Sequence, residues 1–128
     1  MEALQRHGVN IGLLFLRVTV SLSMILAHGL PKLQNFSTIA PKFPDPVGFL
    51  GGSVSLGLAI FGEVVCPAMI ILGIKTRFAA IPAAMTMVVA AFLVHGADPY
   101  KAKELAFMYL FVFIALIFTG GGKLSVRD

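Results

Sequence analysis

Apolar and polar positions do not alternate along this chain; the apolar residues run together in four long stretches. Three of these cover Ile11 to Leu30, Ser53 to Gly73 and Phe78 to His95, and a fourth occupies 104–119, apolar from Leu105 onward. Each meets or approaches the roughly 20 residues that an α-helix needs to cross a bilayer core. The last two are short, but Arg77 stands before the third, and Tyr100, Lys101, Lys103 and Glu104 lead into the fourth. Such side chains reach back to the interface, so either helix can extend by a turn without exposing charge to lipid. The pattern therefore predicts an all-α integral membrane four-helix bundle, with residues 1–128 forming one membrane domain.

The connections are unequal. Only Ile74 to Arg77 separates the second and third stretches, a tight hairpin that makes them antiparallel neighbours. The link from Pro31 to Gly52 is long and carries prolines at 31, 41, 44 and 46 among Phe36, Phe43 and Phe49. It is expected to lie at the headgroup level or cap the bundle, with one helical turn around Asn35 to Ala40. Arg6 before an apolar run imitates a secretory signal, but Arg17 interrupts that run, which continues to Leu30, beyond a signal's usual length of about 7–15 residues. With four spans, Arg6, Lys75, Arg77, Lys123 and Arg127 share one side and Lys32, Lys42, Lys101 and Lys103 the other, a balance too even to fix orientation. Ser53 with Gly57, Ala79 with Ala83 and Ala80 with Ala84 are spaced for close helix packing.

Composition narrows the class. Hydrophobic residues make up 58% and charged residues 12%, the latter about half of what a soluble domain carries, and there is a single cysteine. A disordered segment, a soluble enzyme with a polar skin and a disulfide-stapled mini-domain are all excluded. The formal charge of +4 comes from basic residues spread over the whole length, so no nucleic-acid patch forms. The expected partners are the lipid bilayer and lipophilic molecules.

An ionisable side chain within a span costs about 2.5–3.5 kcal/mol at the centre, so each one needs a reason. Arg17 falls roughly 10 Å into the first span, and Glu63 roughly 16 Å from the hairpin end of the second. The two are expected to pair, either as a structural ion pair or as a site in which Glu63 accepts protons and Arg17 anchors an anionic or carbonyl-bearing ligand. Arg17, Ser21, Met24 and His28 lie on one helix face, as do Leu56, Ala59, Glu63, Pro67 and Ile70 on the next span, and both faces should point inward. Pro67 frees the carbonyl of Glu63, which predicts a kink at the carboxylate.

A second polar group gathers at the opposite end: His28 and Lys32 close the first span, His95 closes the third and Glu104 opens the fourth. A polar mouth receiving the head group of a quinone or another amphiphile fits them, with histidine carrying protons. No HxH, ExxH or HExxH spacing supports a metal. Cys66 stands without a CxxC partner, which argues against dithiol cycling, and no nucleotide-binding or acyl-transfer motif appears.

The ordered series LRV, HGLPKLQNF, GE, LGIKTRFAA, a span closing in His, KELAFMYL and GGGKLSVRD resembles the DoxX family of small bacterial four-helix membrane proteins, from about Ile11 to Asp128. The family pattern falls on Arg17, His28, Gly29, Lys32, Glu63, Gly73, Arg77, His95, Glu104, Gly120 to Gly122 and Asp128. The resemblance implies the bacterial inner membrane and links to respiratory and redox roles. Its wider superfamily includes the membrane subunit of a thiosulfate:quinone oxidoreductase, and some members are associated with redox-homeostasis complexes.

The combined expectation is a redox-associated subunit that binds a quinone-like or other lipophilic ligand. Glu63, His28 and His95 would handle protons, while Arg17, Lys32 and Glu104 would hold the ligand; electrons would come from a partner redox protein or the ligand itself. The rival is a non-enzymatic scaffold or assembly factor that recruits a partner protein. A transporter is disfavoured by the absence of an inverted repeat, an objection that a homo-oligomer would weaken.

Overall fold

The computed structural model describes residues 2–94 and 96–128, so His95 lies outside the described residues. The chain begins with α1 (Glu2–Met24), which passes through a π-helical turn (Ile25–Gly29) into α2 (Leu30–Gln34). This first helical segment is longer than the expected Ile11 to Leu30 at both ends. Gln5, Arg6 and His7 are polar but compatible with a helix that projects beyond the hydrocarbon, so loss of hydrophobicity does not end it. At the other end Pro31 removes one backbone donor, and the carbonyl it would have served, at Ala27, falls within the π-turn, where the ladder is already reset.

The long link contains α3 (Phe36–Ile39) and a 3-10 turn (Ala40–Lys42), close to the helical turn expected at Asn35 to Ala40. The second span is α4 (Gly52–Ile60), a π-turn (Phe61–Val65) and α5 (Cys66–Leu72); the third is α6 (Thr76–Val88) followed by a π-turn (Val89–Val94). The helix α7 (Tyr100–Thr119) starts after Pro99. Gln5–Gln34, Gly52–Leu72 and Thr76–Leu93 are long and apolar enough to cross a membrane, and α7, apolar from Leu105 to Phe118, packs along α6 to complete an all-α bundle.

Met24, Cys66, Ile70, Leu110, Phe113 and Leu116 form the centre of the core, with α6 contributing Ala79, Ala80, Ala83 and Ala84. That alanine row packs as its spacing predicts, allowing close backbone approach where dispersion replaces the hydrophobic drive. Ser53 and Gly57 do not: both are exposed and nothing lies against Gly57. Large apolar side chains such as Phe15, Phe78 and Phe118 face outward, as they do when the solvent is lipid.

The hairpin between the second and third spans turns through Gly73 and Lys75, both with positive φ (75° and 49°). The Gly73 amide donates to the Ile70 carbonyl and the Ile74 amide to the Met69 carbonyl, closing the end of α5. The C-terminal segment returns to this hairpin: Val126 and Arg127 donate to the carbonyls of Leu72 and Gly73, and Lys75 donates back to Arg127.

Candidate functional site

The two buried charges expected to meet do not. Arg17, with no exposed surface, donates through one terminal nitrogen to the carbonyls of Ile70 (2.9 Å) and Ile71 (3.1 Å) and through the other to the carbonyl of Leu124. It therefore joins the first span, the C-terminal end of α5 and the C-terminal segment. A cation is favoured there by the partial negative charge of the helix end. Ile70 is seven residues beyond Glu63, about 10 Å at helical rise, so the guanidinium is spent on nearer carbonyls before it reaches the carboxylate.

Asp128 completes this end. Its Oδ1 accepts from the Thr76 amide (2.9 Å) at the start of α6, and its Oδ2 accepts from the Gly121 amide (2.7 Å). Burial pushes the Asp128 carboxyl up, but its bonds to Thr76 and Gly121 and the nearby Arg17 charge outweigh that effect and hold it below the usual carboxylate range. Gly73 leaves no room for a side chain here, because a Cβ would lie 2.7 Å from the Arg17 guanidinium and 2.6 Å from Ser125.

Glu63 instead pairs with Lys32. The ammonium lies 3.0 Å from Oε1, to which it donates, and 2.8 Å from Oε2. Lys32 also reaches the carbonyl of His28 at 3.4 Å, one turn earlier. The carboxylate is 5% exposed, and its Oε2 accepts no hydrogen bond from the described residues. It sits in the π-turn Phe61–Val65, one turn before Pro67, so the expected kink takes the form of a widened turn at the carboxylate itself.

Two glycines set this geometry. A Cβ at Gly29 would run into the Glu63 carbonyl (2.6 Å) and the Val64 side chain, so the first span crosses the second backbone to backbone. A Cβ at Gly62 would strike the Thr86 hydroxyl and approach the Pro82 carbonyl at 3.2 Å, so the second and third spans touch there. From this crossing the spans continue toward the long link and enclose a cavity of about 490 Å³. Lys32 and Glu63 line it with the hydroxyl-bearing Ser55 and Thr86, and Phe43, Pro44, Pro46, Val47 and Leu50 from the link form its roof. The link thus caps the bundle, one of its two expected placements. Its volume lies within the range of about 300–1,000 Å³ typical of small-molecule sites, which are likewise mostly apolar with a few converging polar groups.

The roof is tied by Asp45. Its carboxylate accepts from the amides of Gly51 (2.8 Å), Gly48 (3.0 Å) and Val47 (3.2 Å), and from the Ser55 hydroxyl at 3.4 Å. The Gly51 and Gly48 amides above all hold this carboxyl below its ordinary value.

The other expected site residues divide. His28 is half-buried beside the ion pair but does not line the cavity; its ring meets Tyr109 edge-on at 5.5 Å, and the Tyr109 hydroxyl lies 3.0 Å from the Ser23 hydroxyl. Glu104 is exposed on α7 and does not line the cavity, so it is not brought to the pair. His95 is not among the described residues. Ser55, Thr86, Tyr109 and Asp45 were not singled out from sequence. Asp45, between prolines 44 and 46 and shortly before two glycines, carries the turn-forming signal that could have marked it. No group of His, Cys, Asp and Glu among the described residues is arranged to hold a metal ion.

Two uncharacterized proteins of Haemophilus influenzae are similar to the chain. One is 29% identical over 96% of this chain and 85% of its own length, and the other 32% identical over 91% and 88%. No solved structure matches. The DoxX family profile matches residues 12–96, which include Arg17, His28, Lys32 and Glu63, and on that match the chain belongs to the DoxX family.

Proposed function

We propose that this multi-pass membrane protein binds a quinone-like lipophilic ligand in the cavity beside Lys32 and Glu63, as a redox-associated subunit of the bacterial inner membrane. The observation that carries this reading is the Lys32–Glu63 ion pair, its carboxylate buried, with both partners lining a largely apolar cavity. That donor set suits a ring bearing oxygens: the ammonium donates to a carbonyl oxygen, and Oε2 accepts from a hydroxyl of the reduced form. The ligand supplies the electron-carrying chemistry when bound, and a partner redox protein exchanges electrons with it.

In this scheme Glu63 takes and returns a proton at the ligand oxygen, and Lys32 holds the carboxylate in place beside it. His28 lies one turn from Lys32 and passes protons away from the site, with His95 as the second relay. Arg17 acts on the ligand only by fixing the helices that surround it, and Glu104, exposed on α7, offers a contact for the partner.

The test is identification by mass spectrometry of lipophilic molecules that remain with the protein after gentle extraction. Wild type should carry a quinone that a folded Lys32→Met/Glu63→Gln double variant lacks. Recovery of bulk phospholipid alone from both would end the quinone reading and leave the chain as a scaffold for partner proteins.

A further inference from the structure

The cavity's roof and floor are closed by named contacts, which leaves the question of how a ligand reaches the ion pair. Gly62 against Thr86 seals the deep end, and the crossing of Gly29 over Glu63 closes the side toward the first span. The link closes the top, with Asp45 tying its backbone to Ser55 at the start of the second span. Val47 in the roof is exposed too, but it belongs to the link; between the second and third spans the exposed lining belongs to the membrane-crossing helices themselves. Leu58 is 56% exposed, Phe61 45% and Met85 62%, all within helical segments long enough to cross the membrane. These are wall residues of the cavity and outward-facing residues of the spans at once.

From this geometry we infer a lateral portal between Leu58 and Phe61 on one side and Met85 on the other, through which the ligand enters from the bilayer. The inference rests on the binding reading above and deepens it by fixing the class of ligand: an amphiphile with an oxygen-bearing head and a hydrocarbon tail. The head reaches Lys32 and Glu63, and the tail stays in the portal among the acyl chains. The physical reason is the separation of environments. Among the described residues that line the cavity, the charges are the ammonium and carboxylate of Lys32 and Glu63, and the mouth residues Leu58, Phe61 and Met85 carry no polar group that would favour a water-borne molecule. A tail left in the portal stays in hydrocarbon and spares the cavity the task of enclosing it.

The test uses two photoreactive benzoquinones in phosphatidylcholine nanodiscs containing the full chain, one with a diazirine on the ring and one with it at the far end of a decyl tail. Ring crosslinks are expected near Lys32 and Glu63 and should vanish in Lys32→Met/Glu63→Gln. Tail crosslinks are expected at Leu58, Phe61 and Met85. Leu58→Trp/Met85→Trp should cut ring labelling about tenfold by filling the portal, whereas Phe15→Trp, on the lipid face of the first span, should leave it unchanged. Tail crosslinks on the link residues 43–50, or spread evenly to Phe15 and Phe118, would overturn the portal while leaving the head-group site standing. So would ring labelling indifferent to the tryptophans. Absence of ring labelling near Lys32 and Glu63 would overturn both readings.

Discussion

Arg17 and Glu63 are both charged groups buried within one bundle, yet their surroundings are opposite. Around Arg17 the neighbours are fixed: its terminal nitrogens meet the carbonyls of α5 and the C-terminal segment, glycine excludes any side chain at 73, and Asp128 binds the amides beside it. Around Glu63 one side is fixed by Lys32, whose ammonium reaches both carboxylate oxygens, and the other faces a cavity. The contrast shows that the cost of burying a charge does not by itself identify a functional group. What separates the two is what lies beside the charge: backbone carbonyls pack against the Arg17 guanidinium, whereas the Glu63 carboxylate borders a cavity.

The most severe way to break this comparison is at Arg17. Arg17→Met strands carbonyls at the end of α5 and on the C-terminal segment, and is expected to cost about 3–5 kcal/mol of stability, read as a lowered thermal midpoint in nanodiscs. Arg17→Lys should recover only part of it, because a compact ammonium cannot span the same carbonyls. Next comes the ion pair. Lys32→Met alone leaves Glu63 buried without its cation and should cost about 3 kcal/mol, whereas adding Glu63→Gln should return stability to within about 1 kcal/mol of wild type while ligand retention stays lost. A double variant as unstable as the single one would place the pair with Arg17 as architecture.

Packing at the floor should matter somewhat less. Gly62→Ala pushes a methyl group against the Thr86 hydroxyl and should cost about 1–3 kcal/mol; Thr86→Ala in the same chain should recover part of that loss, a coupling that a double-mutant cycle measures. The smallest effect is expected at the roof. Asp45→Ala should leave the melting profile nearly unchanged but speed amide exchange at Gly48 and Gly51. In wild type the same loosening should come with acid. The folded carboxyl titrates below its ordinary value of about 3.9, so its contribution is complete above that value and is lost as pH falls through the lower, folded one.

Much of the frame is legible in the chain. Apolar run length marks the helices, the brevity of Ile74 to Arg77 marks the hairpin, and Pro67 marks the disturbed turn at Glu63. The inward faces also follow from spacing: Arg17, Ser21 and Met24 are buried on one helix, and Leu56, Glu63, Pro67 and Ile70 on the next. Partnership is what spacing fails to give. Depth measured from one membrane side brings Arg17 and Glu63 within plausible reach, but depth says nothing of backbone carbonyls competing for the guanidinium, nor of Lys32 arriving from the opposite end. The C-terminal clasp is hidden for a related reason, since GGGKLSVRD carries no periodicity and acquires its shape only against the hairpin. The cavity needs three segments at once: a roof of prolines and apolar side chains, a glycine crossing and a lysine one turn beyond a histidine.

The widened turn at Phe61–Val65 is, in counting terms, one residue more than a regular helix would use over the same distance. Glu63, Pro67 and Ile70 share the inner face by ordinary helical spacing, so the surplus residue is taken up inside the turn and neither half of the span is swung away from the interior. Deleting Val64 would let the turn heal into ordinary helix while α5 stays anchored through Ile70 to Arg17. The adjustment would then fall on the turn itself and on the carboxylate it carries. The charge at the heart of the proposed site is therefore presented by a piece of helix with slack in it, where Arg17 is gripped by one without.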